Sequence, residues 1–154
     1  MYLSARRSRR LLLDTCVFLH YLSGDELADK AEILVKLAVE GKVVLAVSSE
    51  AYDDAITALR SKGVKTSVVL DMLKKWASIP HQVLPLTIEA AIEALRLYNL
   101  YGGRRRLHYF DAFHVATAKY YDLPLVTSDK YIITHSEALG IDVINLRKIS
   151  YNSF

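Results

Sequence analysis

The feature that most constrains this chain is a regular alternation of short apolar runs with longer helical patterns. Arg10-Leu11-Leu12-Leu13 reads as a fully buried strand, and Cys16 to Leu22 as a short helical segment. Asp25 is placed to cap a helix through Ile33, Leu34, Leu37 and Ala38 that stops at Gly41. Val43 to Val47 reads as a second strand. Ser48 or Ser49 then caps a helix carrying Tyr52, Ala55, Ile56 and Leu59, and a further helix runs from Val64 to Trp76. Val83-Leu84 is a weak strand before a helix from Thr87 to Tyr101, which Gly102-Gly103 ends. Beyond a polar loop from Arg104 to His108, the Phe, Ala and Val content of Tyr109 to Tyr121 predicts a helix buried on most sides. Leu125-Val126-Thr127 is a strand, Ile132 to Leu139 a short helix and Val143-Ile144-Asn145 a last strand. Strands separated in this way by helices pair in parallel and need cover on both faces. The pattern therefore predicts an α/β fold, a three-layer α/β/α sandwich around a central, mostly parallel sheet of four to five strands.

With 154 residues, no repeat and no Pro/Gly/Ser linker, the expectation is a single domain over 1–154, with a basic extension at 1–10 and a short tail at 147–154. The lone cysteine, Cys16, allows no internal disulfide and predicts a cytoplasmic protein. No uncharged apolar run approaches the roughly 18 residues that a membrane-spanning helix needs. The formal charge of +3 is small, but it is unevenly placed: Arg6, Arg7, Arg9 and Arg10 form one basic run, and Arg104, Arg105 and Arg106 another.

Functional groups of a parallel sheet collect beyond the carboxyl ends of its strands. Asp14 closes the first strand, Asp54 lies in the first turns of the helix after the second, Asp111 starts the buried helix, and Asp129 follows the strand at Leu125. Any one of them could be a helix cap, since a carboxylate at a helix N-terminus gains from free amides and the dipole. Together they are harder to explain as caps. Asp14 is joined to an apolar strand, Asp111 sits between Phe110 and Ala112, and no lysine or arginine falls within these segments except Lys130. Anions gathered in an interior are unfavourable unless a cation neutralises them. A hard divalent ion, Mg²⁺ or Mn²⁺, suits carboxylate oxygens and could activate water toward a phosphodiester.

Four segments carry a family resemblance: Leu11-Leu12-Leu13-Asp14-Thr15, Val47 to Asp54, Phe110 to Ala118, and Leu125-Val126-Thr127-Ser128-Asp129-Lys130. In order and spacing they resemble the signature segments of PIN domains, many of whose small prokaryotic members are VapC-like toxins of toxin–antitoxin pairs. The resemblance runs from Leu11 to about Leu146 and implies a PIN-like fold and a Mg²⁺- or Mn²⁺-dependent endoribonuclease. It makes Asp14, Asp111 and Asp129 metal-site carboxylates, with Thr15 and Thr127 as supporting hydroxyls. It also implies an RNA substrate, a homodimer and a small antitoxin partner. The second segment departs from the family, which usually has glutamate where Asp54 stands. Glu50, Asp53 and Asp54 are all candidates; alignment through Ser48 and Tyr52 favours Asp54 as the fourth acid, with Glu50 in reserve. The rival expectation is a catalytically weak or inactive member of the fold that binds RNA or serves as a scaffold.

Arg104, Arg105 and Arg106, with Tyr98, Tyr101, Tyr109, Tyr120 and Tyr121 around them, suit single-stranded RNA, and suit a subunit interface equally well. His114 reads as an ordinary helix histidine, with a place near the acids and in touch with substrate as the alternative. A structural zinc site from His108, His114 and Cys16 lacks the required ligand number and spacing. A phosphoacceptor receiver-like domain would need an acidic pair after the first strand, where this chain has one acid.

Overall fold

The computed structural model describes residues 9–154. Arg6 and Arg7 of the first basic run lie outside these residues. Five strands form one parallel sheet: β1 (Arg9–Leu13), β2 (Val43–Ser48), β3 (Gln82–Leu84), β4 (Leu125–Thr127) and β5 (Val143–Asn145), in the order β3-β2-β1-β4-β5. Arg10 stands in the first strand as read, and Arg9, expected only in the basic extension, joins it; the two pair with Val44 and Val43 but are exposed, so the strand is buried only from Leu11.

Side-chain alternation along the strands divides the core in two. Leu11 and Leu13 of β1 face the same layer as Leu45 and Val47, against α1 (Thr15–Ser23), α2 (Ala28–Val39), α3 (Ala51–Ser61) and α4 (Thr66–Ala77). Leu12 and Ala46 face the other layer, against α5 (Ile88–Tyr101), α6 (Tyr109–Tyr121) and the short α7 (Lys130–Thr134) and α8 (Ser136–Leu139). The three-layer expectation holds for this reason. Burial of α6 is close to complete on its inner side, with Ala112, His114, Val115, Ala116, Thr117 and Ala118 all buried.

Three predicted caps are engaged elsewhere. Asp25 makes a turn that ends before α2, its backbone carbonyl accepting the Ala28 N–H, so the helix begins three residues later. Ser49 Oγ accepts the Leu86 N–H at 3.0 Å and ties the entry of α5 to the end of β2, while Ser48 turns inward; α3 therefore starts at Ala51 behind Glu50, which makes no side-chain cap. The helix expected over Ile132 to Leu139 is broken at His135 into α7 and α8. Among the described residues no helix is long and apolar enough to cross a membrane.

Because β1 pairs with β2 on one side and β4 on the other, chain direction around the sheet reverses at β1. Such a switch point leaves a crevice at the carboxyl ends of the flanking strands. Asp14 follows β1 there, and Ser128 and Asp129 follow β4.

Candidate active site

The two strand ends are joined through one hydroxyl. Thr127 Oγ1 donates to Asp14 Oδ2 at 2.6 Å and accepts the Asp129 N–H at 3.0 Å. Asp14 is 3% exposed. Asp129 also serves as a cap in the ordinary sense, its Oδ1 accepting the Ile132 N–H at the start of α7. Two helix N-termini bring the remaining acids: Asp54 in the first turn of α3 and Asp111 in the first turn of α6.

One turn beyond Asp111 on the same face of α6 stands His114, with no exposed surface. Its Nδ1 meets Ser48 Oγ at 2.7 Å, and its Nε2 meets Asp54 Oδ2 at 2.8 Å and Thr15 Oγ1 at 2.9 Å. A carboxylate only accepts, so Nε2 carries a proton and donates to Asp54, while Nδ1 is engaged by the Ser48 hydroxyl. The ordinary helix histidine thus gives way to the alternative place near the acids: His114 ties α6 to β2, α1 and α3 and aims Asp54. The signal in the sequence was its three-residue spacing from Asp111; the inward turn of Ser48 had none.

Ligand-type atoms of Asp14, Asp54, Asp111 and His114 lie within 4.8 Å of one another, and those of His108, Asp111 and Asp129 form a second such group, so Asp111 belongs to both. Among the described residues the ion-pair partners of these acids are histidines, His114 for Asp54 and His108 for Asp111 at 3.3 Å. The electrostatic consequence is visible in the acids. Burial, and then the charges of Asp14, Asp129 and Asp54, push the Asp111 carboxyl well above its usual range. Burial likewise raises Asp14, against the opposing pull of His114 and the Thr127 hydroxyl. Negative charge here is under-compensated by the protein itself.

The acids line a cleft of about 210 Å³ with Thr15, Cys16, Leu19, His108 and Ser128. Burial, followed by the Asp14 charge, pushes the Cys16 thiol well up, so it stays protonated and belongs to neither group. Glu50, at the N-cap of α3, also belongs to neither, and Asp53 is exposed. Arg104, Arg105 and Arg106 are exposed in the loop that leads into His108 and α6. That loop requires its glycine: a Cβ on Gly102 would lie 2.3 Å from the Tyr98 carbonyl oxygen. Tyr98 and Tyr109 pack edge to face beside it, but Tyr120 and Tyr121 do not join them, since they sit at the far end of α6, about 16 Å along the axis from Tyr109.

A profile described as the PIN domain matches residues 11–137, most of the chain. The chain belongs to the PIN domain family. Its fold is similar to that of VapBC2 from Rickettsia felis bound to a DNA fragment from its promoter (TM-score 0.67, 15% identity, covering 88% of this chain and 98% of that one). A DNA-bound VapBC from Salmonella typhimurium (TM-score 0.62, 16% identity, 90% and 98% covered) is also similar. So is VapBC-5, of the VapBC toxin–antitoxin family, from Mycobacterium tuberculosis (TM-score 0.57, 20% identity, 88% and 98% covered). Identities at this level speak for the fold. No curated protein matches the chain. Within this PIN domain, Asp14, Asp54, Asp111 and Asp129 all come from the segments that carried the resemblance, and all four reach the crevice at the switch point.

Proposed function

We propose that this PIN domain is a metal-dependent endoribonuclease and the toxin of a toxin–antitoxin pair. One observation carries the reading: four carboxylates converge at the switch point with only histidines paired to them among the described residues. Hard oxygen donors with unbalanced negative charge fit Mg²⁺ or Mn²⁺. Asp14, Asp54, Asp111 and Asp129 would hold the ion; the grouping of Asp54 with the acids supports it over Glu50. When bound, the metal offsets the carboxylate charge, polarises water and attracts phosphate oxygens.

The remaining work falls to this chain's own side chains. Thr127 fixes the Asp14 carboxylate and the Asp129 backbone in one geometry, and Thr15 and Ser48 hold His114 against Asp54. Arg104, Arg105 and Arg106 supply positive charge for a phosphate backbone, and Tyr98 and Tyr109 offer rings beside them for unpaired bases. RNA is favoured over duplex DNA because stacking on such rings needs bases already splayed out.

The partners follow from the fold's company and one surface. The three similar structures named above are VapBC proteins, and one is a toxin–antitoxin system by its own description. Along α5, Ile88, Ile92 and Leu95 are 69%, 63% and 60% exposed, an apolar stripe suited to a second copy of the chain. The feature that separates this reading from its rival, an inactive RNA-binding or scaffold protein, is a second acid in the cluster, and the place of Asp54 supports the catalytic reading.

Incubation of the purified protein with RNA and Mn²⁺ tests the proposal. Cleavage is expected, with Asp14→Asn and Asp111→Asn each slowing it about 10³-fold, the scale of several kcal/mol of lost charge stabilisation. Wild-type rates in either variant would refute the assignment.

A further inference from the structure

A second chain of polar contacts ends at the cleft. Ser128 lines it between Thr127 and Asp129, and its Oγ lies 3.0 Å from His20 Nε2. The other ring nitrogen, Nδ1, lies 2.7 and 2.9 Å from the two Asp25 carboxylate oxygens. Asp25 is itself held, because its Oδ1 accepts the Leu27 N–H at 3.0 Å. The Ser128 carbonyl accepts from Arg147 at 2.5 Å, which fixes the loop from the other side. A carboxylate accepts only, so Nδ1 carries a proton, and Nε2 faces a hydroxyl that in the resting site also donates to Cys16 Sγ over a long 3.4 Å contact. Hydroxyl, imidazole and carboxylate in this order form the arrangement in which a histidine exchanges protons with a hydroxyl.

The relay also has an open end. His20 and Asp25 side chains are 20% and 42% exposed, so the imidazole can reload from water while Ser128 lines the cleft that the acids share. Of the other histidines near the cleft, His114 is sealed with both nitrogens engaged, and His108 is paired with Asp111.

We propose that Ser128, His20 and Asp25 form a proton relay that protonates the leaving oxygen of the phosphodiester; this rests on the nuclease reading above. As a water oxygen bonds to phosphorus, the bond from phosphorus to the leaving oxygen breaks, and its electron pair stays on that oxygen. The Ser128 hydroxyl gives its proton there and takes one from the His20 imidazolium at Nε2. Solvent reloads His20 and accepts the proton lost by the attacking water. Ser128 is the group that touches substrate; His20 and Asp25 act through it.

Two substrates with Mn²⁺ separate the relay from the reading beneath it: an RNA oligonucleotide, whose leaving alkoxide needs a proton, and the p-nitrophenyl ester of thymidine 5′-monophosphate, whose leaving group does not. His20→Asn and Ser128→Ala should each lower kcat on RNA about 100-fold more than on the ester, with KM little changed. Ser128→Thr, which keeps a hydroxyl, should recover most of that ratio, and turnover of the ester reports that each variant is folded. In metal-free protein, ¹⁵N-edited NMR of the neutral side chain should find the His20 proton on Nδ1. Equal losses on both substrates, the same split from His108→Asn instead, or a neutral His20 protonated on Nε2 would overturn the relay alone. Failure of the wild type on both substrates would overturn the nuclease reading and the relay with it.

Discussion

Asp111 on α6 and Glu93 on α5 are carboxylates on neighbouring helices with opposite electrostatic surroundings. Glu93 accepts from Arg96 at 2.6 and 2.8 Å and from Lys119 at 2.7 Å, and these partners, Arg96 foremost, hold its carboxyl down at about 2. Asp111 has burial and three other acids for company, and is pushed well up. The helix pair shows that this chain places a lysine or arginine beside an acid when the acid's task is to join two helices. At the switch point it places more acids instead. A region left electrostatically unbalanced beside one that is balanced is where, on the nuclease proposal, stability is set aside for chemistry.

The sharpest way to break this contrast is through the scaffold that holds the acids together. Ser48→Ala leaves His114 Nδ1 buried without its partner and should cost about 1–3 kcal/mol, the usual loss for an orphaned buried polar group. Thermal unfolding checks it, and an unchanged midpoint would mean that His114 does not depend on β2 for its place. In metal-free protein, Asp111→Asn should act in the opposite direction and raise Tm, by roughly 2–4 °C for each kcal/mol of repulsion relieved. The pH dependence has a definite sign. The folded-state pKa of Asp111 and of Asp14 lies above the unfolded value near 3.8, so their contribution is complete below that value and is lost as pH rises through the folded pKa. Wild-type protein in EDTA should thus lose stability relative to Asp111→Asn as pH rises from about 4, and millimolar Mg²⁺ should close the gap. A gap that persists with Mg²⁺ present would argue against an ion held by these acids.

Glu93→Gln is the smallest of the three. Its pairs are partly solvated, so the expected cost is below about 1 kcal/mol and should shrink in high salt. Here the folded pKa is depressed, so the contribution is present above about 4.5 and lost as pH falls toward 2. Acid titration of wild type against Glu93→Gln would show the two curves converging in that window; convergence at neutral pH instead would remove the contrast with Asp111.

Much of this molecule was written locally. Hydrophobic period separated strands from helices well enough to locate α5, α6, β4 and β5 within a residue, because each buries a face whose spacing is set by its own backbone. The four aspartates were likewise visible as acids at strand ends and helix starts. The roles of Ser48, Ser49, His20 and His114 were not, because a polar side chain can have a local use, such as a cap, and a distant use as a partner. Local sequence describes only the first. Ser48 and His114 are 66 residues apart, and His20 and Ser128 are 108 apart; only the parallel pairing of β1 with β2 and β4 brings their elements to one crevice. Sequence alone determined which segments could be buried and where the acids would emerge. Tertiary structure decided which hydroxyls and imidazoles would meet them, since hydrogen bonds reward proximity that no local pattern encodes.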